Sequence, residues 1–147
     1  MAASASAESS ILPLVVLDAS VWASSLLRND ANYGAAHAWI SNHIGIGGYF
    51  AAPLLLVVET SATISRVTQD ARAGRAAASQ LYSFPLMRLV PMDQLLVDEA
   101  VDIAAHFHMR GADSMYVAVA KKLTIPLVTF DQEQLTRPAS IISTIRP

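Results

Sequence analysis

Short apolar runs that stop at an acidic residue constrain the fold of this chain more than any other feature. The run LVVL at 14–17 is apolar at every position and ends at Asp18, and the similar run PLVTF at 126–130 ends at Asp131. Such runs, rich in β-branched residues, are typical of strands buried on both faces. The segments between them have helical periodicity, as in the amphipathic stretch that begins at Asp93. Alternating strands and helices predict an α/β fold with a mainly parallel central sheet covered on both faces.

The boundaries of the predicted elements follow from periodicity and from helix-breaking residues. Glycines at 45, 47 and 48 interrupt the chain, and Pro53 is placed in the first turn of a long helix. Helices are predicted over 20–27, 32–43, 53–70, 71–83, 93–107, 112–123 and 131–135, and strands over 14–17, 87–90, 127–130 and 140–145.

Length and composition predict a single intracellular domain. At 147 residues the chain is long enough for one hydrophobic core. The small, polar residues 1–10 are predicted to be a disordered tail and residues 11–147 a single domain. The lack of a signal peptide pattern, of a membrane-spanning stretch and of cysteine indicates a cytoplasmic protein. A hydrophobic fraction of 53% predicts an apolar surface that a partner or a second copy covers.

Four acidic residues from distant parts of the chain lie in apolar sequence without an obvious basic neighbour: Asp18, Glu59, Asp113 and Asp131. Asp18 and Asp131 follow predicted parallel strands, whose carboxyl ends are where open α/β sheets bind ligands. All four converge if the strands that precede Asp18 and Asp131 are adjacent. Because clustered carboxylates repel one another, this arrangement predicts bound Mg²⁺ or Mn²⁺, which prefer carboxylate and water oxygens.

Three of these acids also have a purely structural interpretation. Asp18 and Asp131 can each cap the helix that follows, and Asp131 with Gln134 has the spacing of a capping box. Asp113 can be a first-turn acid favoured by the helix dipole, or it can pair with Arg110. Taken one at a time, these residues therefore leave structural and functional roles open.

Glu59 is harder to explain as a structural residue. It lies mid-helix among leucine, valine and alanine, and no lysine or arginine stands three or four positions away. A net charge of −2 gives no overall basic field for nucleic acid. With the four acids occupied by a metal, however, the rest of the surface is mildly basic and compatible with an anionic substrate.

Other candidate sites are weaker. The histidines have spacings that do not suit one metal ion, and all four are predicted to lie on helix surfaces: His37, His43, His106 and His108. The glycines at 45–48 lack the lysine and hydroxyl residue of a nucleotide-binding loop. A Ser-His-Asp triad is open on spacing alone, but the chain has no G-x-S-x-G motif.

Four motifs carry a resemblance to a known family. In chain order they are VVLDASVW, PLLLVVETSATISR, GADSMYVAVAKKL and PLVTFDQ. In this order they resemble the PIN-domain nucleases, in particular the toxin subunits of VapBC-type toxin–antitoxin pairs, over about residues 14–145. Two departures do not involve a candidate ligand: Ser114 stands where alanine is commoner, and Gln132 replaces a basic residue.

The resemblance implies a three-layer α/β/α fold and a metal-dependent endoribonuclease. It implies that Mg²⁺ or Mn²⁺ is bound by Asp18, Glu59, Asp113 and Asp131, and that Ser20 supports the metal site or the substrate. It also implies an RNA substrate, a homodimer and often a cognate antitoxin whose tail covers the cleft. No membrane partner is expected.

Candidates for contact with flanking phosphates come from charge alone. They are Arg66, Arg110, Lys121 and Lys122, although Arg66 also suits an ordinary solvated helix face. Two other function classes remain open. One is a non-catalytic PIN-like module that binds protein or RNA, and the other is a phosphoacceptor receiver domain, which the single acid after the first strand disfavours.

Overall fold

Five parallel strands form one sheet in the order β3-β2-β1-β4-β5, and helices flank it. This computed structural model describes residues 13–147, and the predicted tail at 1–10 lies outside the described residues. The α/β class and the parallel sheet predicted from the sequence are confirmed. The elements are β1 Leu14–Leu17, α1 Ala19–Leu26, α2 Tyr33–Gly45, β2 Tyr49–Pro53, α3 Leu55–Thr68, α4 Ala71–Ser83, β3 Met87–Val90, α5 Gln94–Phe107, α6 Gly111–Leu123, β4 Leu127–Val128, α7 Gln132–Thr136 and β5 Thr144–Ile145.

The central strand β1 pairs with β4, as the convergence of the acids requires. Val16 is opposite Leu127 and Leu17 is opposite Val128. The backbone N–H of Asp18 donates to the carbonyl of Val128 at 3.0 Å, so the pairing reaches the ends of both strands. Because the two strands run in the same direction, the residues that follow them lie at the same edge of the sheet.

Helix α6 packs against three central strands, β1, β2 and β4. Its residues 114–120 are all buried, as expected for a helix in the core. Asp113 stands one residue before this buried run, in the first turn, so the core packing of α6 fixes its position. Neither α6 nor any other helix within residues 13–147 has the length and hydropathy needed to cross a membrane.

Strand β2 was missed by the sequence prediction. Pro53, assigned to the first turn of a helix, is the last residue of β2, and α3 begins at Leu55. Phe50, Ala51 and Ala52 are fully buried between β1 and β3. Alanine is depleted in strands, so the local signal was weak, and burial between two neighbouring strands decided the conformation.

The two strands near the carboxyl terminus are shorter than predicted. β4 ends at Val128 rather than at residue 130, and β5 contains only Thr144 and Ile145. The N–H of Phe130 donates to the Ser20 hydroxyl oxygen at 3.3 Å instead of to a neighbouring strand. The N–H of Thr129 still donates to the carbonyl of Ile145 at 3.0 Å, so the chain leaves the sheet after Thr129 and Asp131 lies beyond the strand end.

One histidine does not lie on the surface as predicted. His37, His106 and His108 are exposed, but His43 is buried. Its Nε2 lies 2.9 Å from the carbonyl oxygen of Tyr49, and its ring stacks on a neighbouring tryptophan with centroids 5.0 Å apart. This burial depends on β2, which the sequence prediction lacked.

Helices α3 and α4 approach each other closely at Gly74, and alanine there should destabilise the protein. A Cβ at Gly74 would lie 2.7 Å from the carbonyl oxygen of Ser61 and 2.8 Å from Cβ of Ser65. The carbonyl belongs to the α3 backbone and cannot rotate away. We expect Gly74→Ala to lower the free energy of unfolding by roughly 1–3 kcal/mol through overpacking, measured by urea titration.

A matched control uses the same substitution at a position with free space. Nothing lies within 4 Å of a Cβ built on Gly34 in α2. Gly34→Ala should therefore be neutral or stabilising by up to about 1 kcal/mol, because alanine favours the helix. Equal stability changes for the two variants would contradict the close packing of α3 on α4.

Candidate functional site

The four predicted acids line one pocket at the carboxyl edge of the sheet. The pocket has a volume of about 450 Å³ and opens between α1, α3 and the end of β4. Asp18 and Asp131 come from the ends of β1 and β4, whereas Glu59 comes from α3 and Asp113 from α6. The parallel sheet thus brings together acids from four separate elements of the chain. The acids share the pocket wall with, among others, Ser20, Ser24, Asn32, Thr63 and Arg66.

Asp18 is the most deeply buried of the four, with 6% of its surface exposed. Its Oδ2 accepts the N–H of Ser20 at 3.1 Å and the hydroxyl of Thr129 at 3.2 Å. Its Oδ1 accepts from the side-chain amide of Gln134 at 3.3 Å. Burial raises the pKa of the Asp18 carboxyl even though these donors favour its charged form. Three hydrogen-bond donors thus hold the Asp18 carboxyl in place, and no basic side chain of the described residues forms an ion pair with it.

The capping interpretation is correct for Asp18 and for Asp131, but the capping box with Gln134 does not form, because the Asp131 N–H donates to the Thr129 hydroxyl. Asp18 caps α1, and Asp131 caps α7 by accepting the N–H of Gln134 at 2.9 Å. A cap role does not exclude a second one, because each carboxylate has two oxygens and several lone pairs. Both residues also line the pocket.

Glu59 is half-buried on α3, and its partner is a tyrosine of α6. The Tyr116 hydroxyl donates to Oε1 of Glu59 at 2.6 Å. Burial, followed by repulsion from Asp18, raises the pKa of the Glu59 carboxyl, while the bond from Tyr116 opposes that rise. Burial and the nearby carboxylates also raise the pKa of the Tyr116 phenol, so Tyr116 is a donor at neutral pH.

Asp113 is the acid on which the other three act together. The pKa of the Asp113 carboxyl is raised to about 6, mainly by burial and further by repulsion from Asp18, Asp131 and Glu59. Arg110 opposes the shift but makes no ion pair with it within 4.0 Å. The predicted alternative of an Asp113–Arg110 pair is therefore not observed.

No basic side chain neutralises the acids within residues 13–147. The ion pairs of that part of the chain are Lys121–Glu99 and Arg137–Glu133, and neither involves the pocket. Burial is the main cause of the raised pKa of three of the four carboxyls, and repulsion from neighbouring acids adds to it for Glu59 and Asp113. Such a set of hard oxygen donors fits Mg²⁺ or Mn²⁺ chemically.

The acids are not grouped into a ready-made site in this conformation. Within residues 13–147 no three Asp, Glu or His side chains lie close enough to hold one ion together. Binding by all four acids therefore requires side-chain rotation or intervening water, and Mg²⁺ usually keeps several water ligands in proteins.

Only some of the residues that are predicted to contact the substrate lie in the pocket. Ser20 and Arg66 line it, and Arg66 is exposed in the last turn of α3. Arg110 lies just before α6, close enough to act on the charge of Asp113 but outside the pocket wall. Lys121 and Lys122 lie in the last turn of α6, at the opposite end of that helix from Asp113.

Sequence reasoning missed the role of two residues. Gln134 was seen only as a capping-box partner, but its side chain is fully buried and reaches Asp18. Tyr116 belongs to the motif GADSMYVAVAKKL and has no predicted role of its own, whereas in the structure its hydroxyl donates to Glu59. A glutamine in a short polar helix carries no sequence signal for burial, so only its contacts with Asp18, Asp113 and Thr129 in the folded chain reveal it.

The raised pKa of Asp113 predicts how stability without metal depends on pH. The Asp113 carboxyl binds its proton more tightly in the folded protein, where its pKa is about 6, than in the unfolded chain, where its pKa is 3.8. The contribution of the protonated Asp113 carboxyl to the stability of the fold is therefore fully present below about pH 4 and is lost as the pH rises through about 6. We therefore expect Asp113→Asn to raise the Tm of the metal-free protein more at about pH 7.5 than at about pH 5.

The measurement is a set of thermal melts in EDTA with an exposed acid as control. Asp102 lies on the exposed face of α5. Asp102→Asn should change Tm by a similar small amount at both pH values. A Tm difference for Asp113→Asn that does not grow with pH would contradict the crowded carboxylates described above.

This chain matches a known protein family and is similar in fold to several solved structures. The family model described as PIN domain matches residues 15–139. A solved structure of Mycobacterium tuberculosis VapC20, a Sarcin-Ricin loop cleaving toxin, is 24% identical, with a TM-score of 0.71 over 90% of this chain and 99% of that one. No curated protein sequence matches this chain.

Two further solved structures are similar at lower identity. FitAcB from Neisseria gonorrhoeae is 18% identical, with a TM-score of 0.66 over 89% of this chain and 96% of that one. VapBC2 from Rickettsia felis, bound to a DNA fragment from its promoter, is 9% identical, with a TM-score of 0.65 over 90% and 98%. At these identities the likeness concerns the fold.

Proposed function

Because this chain belongs to the PIN domain family, we propose that it is a Mg²⁺- or Mn²⁺-dependent endoribonuclease. One observation carries the proposal: four carboxylates from four separate elements line one pocket, and no basic residue of the described chain forms an ion pair with them. Carboxylates that serve only structure would be expected to have cationic partners or to be dispersed over the surface.

The proposed metal ligands are Asp18, Glu59, Asp113 and Asp131, with Asp18 and Asp113 as the principal ones. A bound divalent cation supplies charge neutralisation at the scissile phosphate and lowers the pKa of a water molecule. Asp18 suits the role of a fixed ligand, since hydrogen bonds from Ser20, Thr129 and Gln134 hold it in place.

Glu59 is proposed as the group that accepts the proton of the attacking water when it does not bind metal. Burial raises the pKa of its carboxyl toward neutrality, where a general base is most effective. The Tyr116 hydroxyl occupies Oε1, which leaves Oε2 without a hydrogen bond from the described residues. Ser20 and Arg66 would bind the substrate at the pocket, and Arg110 a phosphate further along the RNA.

We also propose that the protein is the toxin of a toxin–antitoxin pair, acts in the cytoplasm and forms a homodimer. One similar solved structure is a toxin–antitoxin complex from Klebsiella pneumoniae, with a TM-score of 0.60, and the VapC20 structure is of a toxin. Several apolar side chains are exposed on the helices or just after one, and a partner or second copy would cover them: Ile46, Val58, Val67, Tyr82 and Leu95. We take residues 11–147 as one domain.

The proposal is tested with end-labelled structured RNA and purified protein in Mg²⁺ or Mn²⁺. We expect internal cleavage that yields discrete fragments. RNA binding without cleavage under these conditions would contradict the enzyme and favour the non-catalytic binding module. Co-purification with the product of a neighbouring small reading frame, and loss of cleavage in that complex, tests the antitoxin separately.

A further inference from the structure

A buried glutamine outside the pocket contacts three of the four acids. Gln134 lies in α7, has no exposed surface and is not part of the pocket wall. Its backbone N–H donates to Asp131, as described above. Its side-chain amide nitrogen lies 3.3 Å from Oδ1 of Asp18 and 3.4 Å from the carbonyl oxygen of Asp113. One residue thus connects β1, α6 and the end of β4.

The orientation of the Gln134 amide is fixed by Thr129. The Thr129 hydroxyl oxygen accepts the N–H of Asp131 at 3.0 Å and lies 2.7 Å from Oε1 of Gln134. The Thr129 hydroxyl has one proton, which it shares between Oε1 of Gln134 at 2.7 Å and Oδ2 of Asp18 at 3.2 Å. With Oε1 facing this hydroxyl, the amide NH₂ faces the carboxylate of Asp18 and the backbone carbonyl of Asp113.

A neutral donor at this position has a specific chemical advantage. Lysine or arginine in contact with Asp18 would neutralise the carboxylate and compete with a cation for it. An amide stabilises the carboxylate through its dipole and leaves the full negative charge available to the pocket. An apolar side chain of equal size would leave a buried carboxylate with one fewer donor.

We propose that Gln134 is a positioning residue that ties the Asp18 carboxylate to the backbone of Asp113 and to the Asp131 cap, so that the acids stay close enough to close on a divalent cation. This inference rests on the proposed function, because it assigns a role within the same site. Gln134 acts through the acids alone, since it does not line the pocket in which substrate would bind.

The first test compares Mn²⁺ binding by calorimetry for the wild type and Gln134→Met. Methionine has a similar length and shape without the amide, so packing is largely kept. We expect a 10- to 100-fold weaker Kd, roughly the range found when groups that orient metal ligands are removed. At saturating Mn²⁺ the KM for RNA should stay within about twofold of the wild type and kcat should recover.

A stability control separates positioning from a general loss of structure. Ile103 is buried on α5, away from the pocket, and Ile103→Val should destabilise the protein by roughly 0.5–1.5 kcal/mol. Its Kd for Mn²⁺ should equal that of the wild type. Wild-type Mn²⁺ affinity in folded Gln134→Met would overturn the inference and leave the nuclease proposal intact. A wild-type protein that neither binds Mn²⁺ nor cleaves RNA would overturn both.

A second measurement needs no variant and covers the case in which Gln134→Met does not fold. The side-chain amide resonances of the wild type are followed by NMR during titration with Mg²⁺. We expect the Gln134 signals to shift and saturate, whereas those of Gln80, exposed on α4, stay unchanged. Gln134 signals that do not respond while Mg²⁺ binds would overturn the inference.

Discussion

Replacing Asp18 with asparagine is expected to reduce RNA cleavage by about 10³-fold while the fold is retained. Metal-assisted charge neutralisation contributes several kcal/mol to such reactions, and a loss of about 4 kcal/mol corresponds to that factor. Asparagine keeps one oxygen for the helix cap but removes the charge that would bind the cation. Loss of the buried charge favours the metal-free fold at neutral pH, whereas the asparagine NH₂ faces the amide donor of Gln134. Because these effects oppose each other, we expect the metal-free Tm to stay close to that of the wild type.

The experiment measures single-turnover cleavage rates and thermal unfolding of the same preparations. Asp102→Asn on the exposed face of α5 removes an equal charge far from the pocket and should cleave RNA at the wild-type rate. Cleavage by Asp18→Asn within about tenfold of the wild type would contradict the assignment of Asp18 as a principal ligand.

Removal of divalent metal is expected to abolish cleavage and to lower the Tm of the wild type. Three of the pocket carboxyls have a raised pKa, so their charges are unfavourable until a cation is bound. A metal present at about 100 times its Kd stabilises the folded state by about 2.7 kcal/mol. For a chain of this length we expect a Tm gain of roughly 5–10 °C.

The test is EDTA treatment followed by titration with Mg²⁺, Mn²⁺ or Ca²⁺. Mg²⁺ or Mn²⁺ should restore cleavage and the Tm together, and Asp18→Asn should show a much smaller Tm gain. Full cleavage in EDTA would contradict a metal-dependent reaction. A Tm gain without restored cleavage would indicate a metal site that serves structure only.

Local sequence patterns predict some features of the site and miss others. Asp18 and Asp131 were placed at strand ends because apolar runs precede them, and the pairing of β1 with β4 brings these ends together. Their capping role was also visible, since the signal lies within four residues. Gln134 was not, because its contact with Asp18 spans 116 positions of the chain.

The strand that was missed has a similar explanation. In the sequence YFAAP the two aromatic residues favour a strand, but the two alanines and the proline do not. Burial between β1 and β3 therefore decides that β2 forms. Without β2, the burial of His43 and the true start of α3 could not be predicted. Both depend on residues that meet only in the folded chain.

The sequence by itself determined the α/β class, the helices and the identity of the four acids, because apolar periodicity and isolated charges are local properties. The tertiary structure decided which strands are neighbours and therefore that the acids share one pocket. It also decided which neutral groups, Gln134 and Tyr116, hold them there. Those contacts join distant segments, and only the packing of the core sets the distances between them.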